Sequence, residues 1–194
     1  MTTEIIFLLD KSGSMAKIRN EVVIGRNAFV SEQQELAGDA NFTMIQFSGE
    51  GGQYCCELKQ RQNLADVRPW STSDFSPNGG TPLLDAIGLT IESEGRRIAQ
   101  EGRAERVIFV IKTDGEENTS RLYTYGRVKE LIAHAEQHEW TFLFMGANIN
   151  VQAYAANLGI ASDRAYSFAA NAAGTKSAYA TLSAQTAQLR GTVY

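Results

Sequence analysis

Ile5-Ile6-Phe7-Leu8-Leu9-Asp10-Lys11-Ser12-Gly13-Ser14-Met15 is the stretch that decides the fold. An apolar run ends in an aspartate, and two serines follow at alternate positions. A run of this length bounded by a Gly/Ser turn predicts a buried strand of a parallel sheet. In such sheets, sites form beyond the carboxyl ends of the strands, which puts Asp10, Ser12 and Ser14 where a ligand would bind. One carboxylate and two hydroxyls are hard oxygen donors. That set suits magnesium, which takes oxygen ligands at about 2.1 Å and keeps some of its waters. Gly13 lets the backbone curl so that both hydroxyls can point the same way. A plainer reading of the same residues is a capped helix start, with Ser14 as the N-cap.

Working outward, residues 17–37 carry apolar positions at Ile18, Val22, Ala28, Phe29 and Leu36, a helical spacing that Gly38-Asp39 ends. Asn41–Ser48 alternates and predicts a strand. Gly49–Gly52 reads as a turn, and Gln53–Lys59 as a strand antiparallel to its predecessor, because the connection is so short. A short helix is expected at Leu64–Val67. Thr81-Pro82 opens a helix, with Thr81 in the cap position and Pro in the first turn. Its stripe is Leu83, Leu84, Ile87, Ile91 and Ile98, and it runs to about Gly102. Arg106–Thr113 is a second buried strand, ending in Asp114-Gly115. A helix at about Tyr123–His138, a strand Trp140–Met145, a helix Val151–Leu158 stopped by Gly159, and a short strand at Ala165–Phe168 follow. The Ala-, Ser- and Thr-rich tail predicts a helix over about 172–189, docked on the sheet through Tyr179, Leu182 and Leu189. The alternation predicts an α/β chain with a doubly wound, mostly parallel sheet, one antiparallel strand and helices on both faces. One domain spanning 1–194 is expected.

Three segments then belong together: Asp10–Ser14 after the first strand, Gly79-Gly80-Thr81 at a helix start, and Thr113-Asp114-Gly115 after the strand Val107–Ile111. In a doubly wound sheet all three emerge at one edge, across the switch point. Asp10, Ser12, Ser14, Thr81 and Asp114 can there meet around one cation. Asp-x-Ser-x-Ser, a distant Thr and a distant Asp, in this order, resemble the von Willebrand factor A domains and their metal-ion-dependent adhesion site. The resemblance covers nearly the whole chain. Thr81–Ile87, Thr113–Asn118, Met145–Asn148 and the Ala-rich tail look like the stand-alone bacterial members. The resemblance implies that Ser12, Ser14 and Thr81 are hydroxyl ligands and that Asp10 and Asp114 act largely through bridging waters. The ion then keeps an open position for an Asp or Glu of a protein partner. Helix N-termini after Ser14 and Thr81 are expected to favour that anion. Magnesium is the expected ion; manganese and calcium share its preference for such donors.

Lys112 departs from the family pattern, where an apolar residue is usual. It shares a face with Val110 and Asp114, and an ion pair with Glu116 or Asp85 is expected. The alternative is a pair with Asp114, whose charge would compete with a bound cation. Other signals are weaker. His134 and His138 sit four apart without zincin order and read as a solvated face. Trp70, Tyr54, Phe75 and Tyr123 could frame the site, but core packing is the better expectation for each. Adjacent Cys55 and Cys56 suggest one inward and one outward side chain in a reducing compartment.

With 43% hydrophobic and 21% charged residues and a net charge of −4, neither nucleic acid nor an anionic membrane is an expected partner. No apolar stretch is long enough to span a bilayer, the N-terminus lacks signal-peptide features, and the cytoplasm is the expected compartment. A binding module, not an enzyme, is the expected class. Two other classes stay open: a regulatory or assembly subunit acting with an ATPase, and a metal-dependent phosphate-ester hydrolase. Against the latter, Ser12 stands where haloacid dehalogenase-type enzymes carry a general acid.

Overall fold

Thr3–Asp10 forms β1, buried along its whole length. The computed structural model describes the backbone of residues 2–50, 53–102 and 106–191, with the side chains of these except 50, 53–55 and 58–60. The other strands are β2 (Ala40–Glu50), β3 (Gln53–Asn63), β4 (Arg106–Thr113), β5 (Trp140–Gly146) and β6 (Ala165–Ser167). They form one sheet in the order β3-β2-β1-β4-β5-β6, with β3 antiparallel to β2 and every other neighbour parallel. The order reverses beside β1, so the switch point lies between β1 and β4, where such sheets bind ligands. β2 extends through Gly49 and Glu50, so the connection to β3 is shorter than expected. The turn at Gly51-Gly52 lies outside the described residues.

The period-two alternation of β1 sorts its residues between two cores. Ile6 and Leu8 join Phe109, Ile111 and Phe142 beneath α2 (Leu83–Glu101), α3 (Tyr125–Glu136) and α4 (Val151–Leu158). Ile5, Phe7 and Leu9 join Ile108, Val110 and Leu143 beneath α1 (Arg19–Gln34) and α5 (Ala172–Leu189). The α1 stripe is Val22, Val23, Phe29 and Val30. Ala28 is exposed and Leu36 lies past the helix end. The tail helix packs on α1 as well as on the sheet. A Cβ on Gly25 of α1 would stand 2.1 Å from the Tyr179 ring of α5, so glycine is what lets the two helices meet. Tyr179 stacks on Phe7 with ring centroids 6.0 Å apart.

Two helix starts differ from expectation. Ser14 is not an N-cap: it lies inside a 3-10 turn, Gly13–Ile18, that precedes α1. α2 is capped by Pro82 rather than Thr81, and Pro82 makes no side-chain cap. The Ser14 hydroxyl is used elsewhere, donating to Asp114. Two caps that the sequence reading did not name are local. Asn150 and Asn171 accept the N–H of Ala153 and Gly174 at the starts of α4 and α5.

Among the aromatics, Phe75 is core, Trp70 lies under Arg26 with 4.8 Å between guanidinium and ring centroid, and Tyr123 packs over Gly88 of α2. Tyr54 and Cys55 fall outside the described side chains. Cys56 is half-buried against the core. His134 and His138 are exposed, with ring centroids 4.6 Å apart. No helix of the described residues is long and apolar enough to cross a membrane.

Candidate metal centre

Asp10 ends β1, fully buried, and its carboxylate fastens two loops. One oxygen accepts the Ser12 N–H at 2.7 Å, which folds the chain back after the strand. The other accepts the Thr113 hydroxyl at 2.7 Å, which ties β1 to the end of β4. Thr113 in turn accepts the Gly115 N–H at 3.3 Å. The Asp10 side chain therefore ties together the loops that carry Ser12, Ser14 and Asp114.

Ser14 donates its hydroxyl proton to Asp114 at 2.6 Å. Ser12 and Ser14 hydroxyls are 3.1 Å apart, within hydrogen-bond distance. Thr81 arrives by backbone pairing of its loop: Gly13 N–H donates to Gly79 O at 2.9 Å and Asn78 N–H to Lys11 O at 2.8 Å. A Cβ on Gly115 would lie 3.7 Å from the Thr81 hydroxyl and 3.8 Å from that of Ser14. The five oxygen-bearing side chains singled out in the sequence thus converge on one patch. Ser12, Thr81, Asp10 and Asp114 are buried, and the exposed Ser14 opens the cluster to solvent.

The donors are supported by residues that sequence reasoning did not single out. Asn118 accepts the Thr81 N–H at 2.8 Å, and its own N–H donates to Thr81 O. Asn148, with a positive φ of 58° that Asn tolerates, donates from its side chain to Asp114 O at 3.0 Å. Glu117 accepts the N–H of Leu84, Thr119 and Ser120, and Ser120 accepts that of Asp85. First-turn amides of α2 are therefore occupied from within, which corrects the expectation that this helix end aims its positive pole at a ligand. Asp85 is the anchor for the next stretch of that loop, accepting the N–H of Arg121, Leu122 and Tyr123 at 2.8–2.9 Å.

Burial is the largest influence on the charges. It pushes the Asp10 carboxyl up to about 6, although the Thr113 hydroxyl and Ser12 amide pull the other way. It also raises Asp114, against the Ser14 hydroxyl and the Lys112 charge. Lys112 is fully buried and pairs with neither Glu116 nor Asp85. Its Nζ has no hydrogen-bond partner among the described residues. It lies 4.2 Å from the Phe168 ring centroid and 5.3 Å from that of Tyr179. Burial draws its amine down to about 8, while the charges of Asp114 and Asp10 pull it up.

The donor set has the chemistry of a hard-cation site. It is rich in hydroxyls and poor in carboxylates, and no cluster of three or more His, Cys, Asp or Glu side chains among the described residues could hold a metal. Because Ser14 donates its proton to Asp114, its oxygen has lone-pair capacity to offer a cation. Among the five side chains there is no thiolate or imidazole to select a softer metal.

No family model matches the sequence. Over 120 residues the chain is 30% identical to inter alpha-trypsin inhibitor heavy chain 4 of Mus musculus, covering 60% of this chain and 12% of that protein's length. Its structure superposes on proximal thread matrix protein 1 from the mussel byssus, in a form with a zinc-occupied MIDAS motif, at TM-score 0.62 and 12% identity over 95% of this chain and 45% of that one. The SpRpn10 VWA domain matches at TM-score 0.62 and 8% identity, over 90% of this chain and 92% of that one. Manganese-loaded TRAP protein of Plasmodium vivax matches at 0.54 and 16%, over 91% and 71%. At these identities the likeness to the solved structures is one of fold, and this protein has the von Willebrand factor A fold.

Proposed function

We propose that the chain is a binding module that takes one divalent cation, magnesium by donor chemistry, and through it recognises an Asp or Glu on a protein partner. The observation that carries this reading is the meeting of Ser12, Ser14, Thr81, Asp10 and Asp114 at the switch-point edge, open to solvent at Ser14. The zinc-occupied and manganese-loaded relatives support a divalent ion in this fold. Ser12, Ser14 and Thr81 would supply hydroxyl oxygens, with Asp114 and Asp10 as the negative charge. A divalent ion held there supplies a positive centre for an incoming carboxylate. Two carboxylates just balance a divalent charge, so the loaded site does not repel an anion. Asp10 does the local work of holding the Ser12 amide and Thr113 hydroxyl, so the donors are arranged by the fold rather than by the ion.

Calorimetric titration of EDTA-stripped protein with magnesium and with manganese tests the first half. One ion per chain is expected, and absence of binding for both ions would sink the reading. Retention on immobilised glutamate peptides, released by EDTA and absent on the matching glutamine peptides, tests the second.

The raised Asp10 carboxyl adds a pH dependence whose sign is set by linkage. Its ordinary value is 3.8 and its folded value about 6. Burial thus favours the protonated form, and its contribution to metal-free stability is full below the ordinary value and lost as pH rises through about 6. A cation binds the charged form. The metal-induced rise in Tm is therefore expected to be small at pH 5 and to grow between pH 5 and 7. A rise that is flat across that range would remove Asp10 from the cation's surroundings.

A further inference from the structure

Lys112 is the group in the molecule whose placement the proposed binding role does not use. Its neighbours across the sheet are Leu9 on β1 and Met145 on β5, and its side chain runs into the apolar layer under α5. Packing there asks for an apolar residue. The ammonium that stands there instead is faced by two aromatic rings, Phe168 and Tyr179, and by no carboxylate within hydrogen-bond reach. Ring faces attract a cation without neutralising it. Its charge is therefore left to act on two carboxylates, Asp114 and, more weakly, Asp10. Lys17 also acts on Asp114, but from the exposed turn after Ser14, where water and salt screen it. Lys112 is behind the carboxylates, in the low-dielectric core, where screening is weak.

We infer that Lys112 is a built-in cation behind the site, held by the faces of Phe168 and Tyr179, that partly neutralises Asp10 and Asp114 and so sets a weak, readily exchanged hold on the divalent ion. This rests on the divalent-ion reading above. Lys112 touches no ligand; it acts through the two carboxylates, as a positioning charge. Its aromatic partners come from the segment after β6 and from α5, so the charge behind the site is held by the tail helix. Phe168 is tied to β5 through its N–H to Gly146 O at 3.0 Å. Tyr179 is wedged over Gly25.

The test compares wild type with Lys112→Met at constant pH and salt, titrated with manganese and with terbium(III), with circular dichroism confirming the fold. Removing one positive charge is expected to tighten manganese at least about 10-fold. Coulomb repulsion scales with ion charge, so the gain in log affinity for terbium should be about 1.5 times that for manganese. A change in site shape has no reason to follow that ratio. Equal affinities in wild type and variant overturn the inference while the metal reading stands, and so do equal gains for the two ions. If neither protein binds either ion, the metal reading itself fails and the inference with it. Lys112→Gln removes the same charge with a polar side chain and decides the matter if the Met variant does not fold. If both variants unfold, the ammonium serves the core and the inference is overturned.

Discussion

Asp114→Ala is expected to weaken magnesium binding at least about 100-fold and to leave the fold intact. The carboxylate is one of only two negative charges at the cluster, and loss of a charged partner at short range outweighs loss of a neutral one. It also accepts the Ser14 proton. Without that acceptor the Ser14 hydroxyl is free to turn away, so a second donor loses its orientation, an effect worth about 10–100-fold by itself at metal sites. Stability should change little, because burial already disfavours the Asp114 charge and the exposed Ser14 can hydrogen-bond to water. Asp10→Asn provides the contrast. An amide can still accept from Ser12 N–H and donate to Thr113, so the loops keep their shape while the charge is lost. Titration calorimetry on both variants, with thermal melts in EDTA, checks this. An Asp114→Ala protein that binds magnesium like wild type would remove the residue from the site.

Asp85→Ala is expected to cost about 3 kcal/mol of stability. Asp85 is buried in the first turn of α2 and accepts three successive backbone N–H groups, from Arg121, Leu122 and Tyr123. Alanine leaves all three without that acceptor, and an unmet buried donor costs about 1–3 kcal/mol; the exposure of Arg121 and Leu122 to water keeps the total near the lower end. Asn restores one carbonyl oxygen and should recover part of the loss. The same loop carries Asn118, which holds Thr81, so the variant should also bind magnesium less tightly without touching a donor. Denaturant unfolding measures the first effect. Hydrogen exchange localises it: protection should fall in residues 116–124 and stay high in β1 and β4. Uniform loss across the sheet would place the role of Asp85 elsewhere.

Much of the architecture was legible along the chain. β4, α4 and α5 begin and end where the pattern puts them, because their signals are short-range: an apolar run closed by Asp114, Gly159 as a stop, and an Ala-rich tail with an apolar stripe. The Thr81 and Ser14 caps were misplaced because a polar residue at a helix start can cap its own helix or serve another segment. The choice depends on residues far along the chain: Asp114 takes the Ser14 hydroxyl proton and Asn118 the Thr81 backbone N–H. Lys112 shows the same limit. Its alternation with Asp114 suggested a carboxylate partner, yet its neighbours are rings from Phe168 and Tyr179, delivered by the segment after β6 and by α5.

The sequence by itself determined the order of strands and helices, the sheet's two apolar faces and which five oxygen-bearing side chains meet at one edge. Periodicity, caps and strand-end polar residues are read within a few residues of one another. Only the tertiary structure decided what holds those donors: Asp10 across to Thr113, Glu117 and Ser120 over the end of α2, Asp85 beneath the loop, and Lys112 behind the carboxylates. Each of these is a pairing between a polar group and a partner on another loop or strand. Its strength comes from burial that exists only once the sheet has brought both halves together.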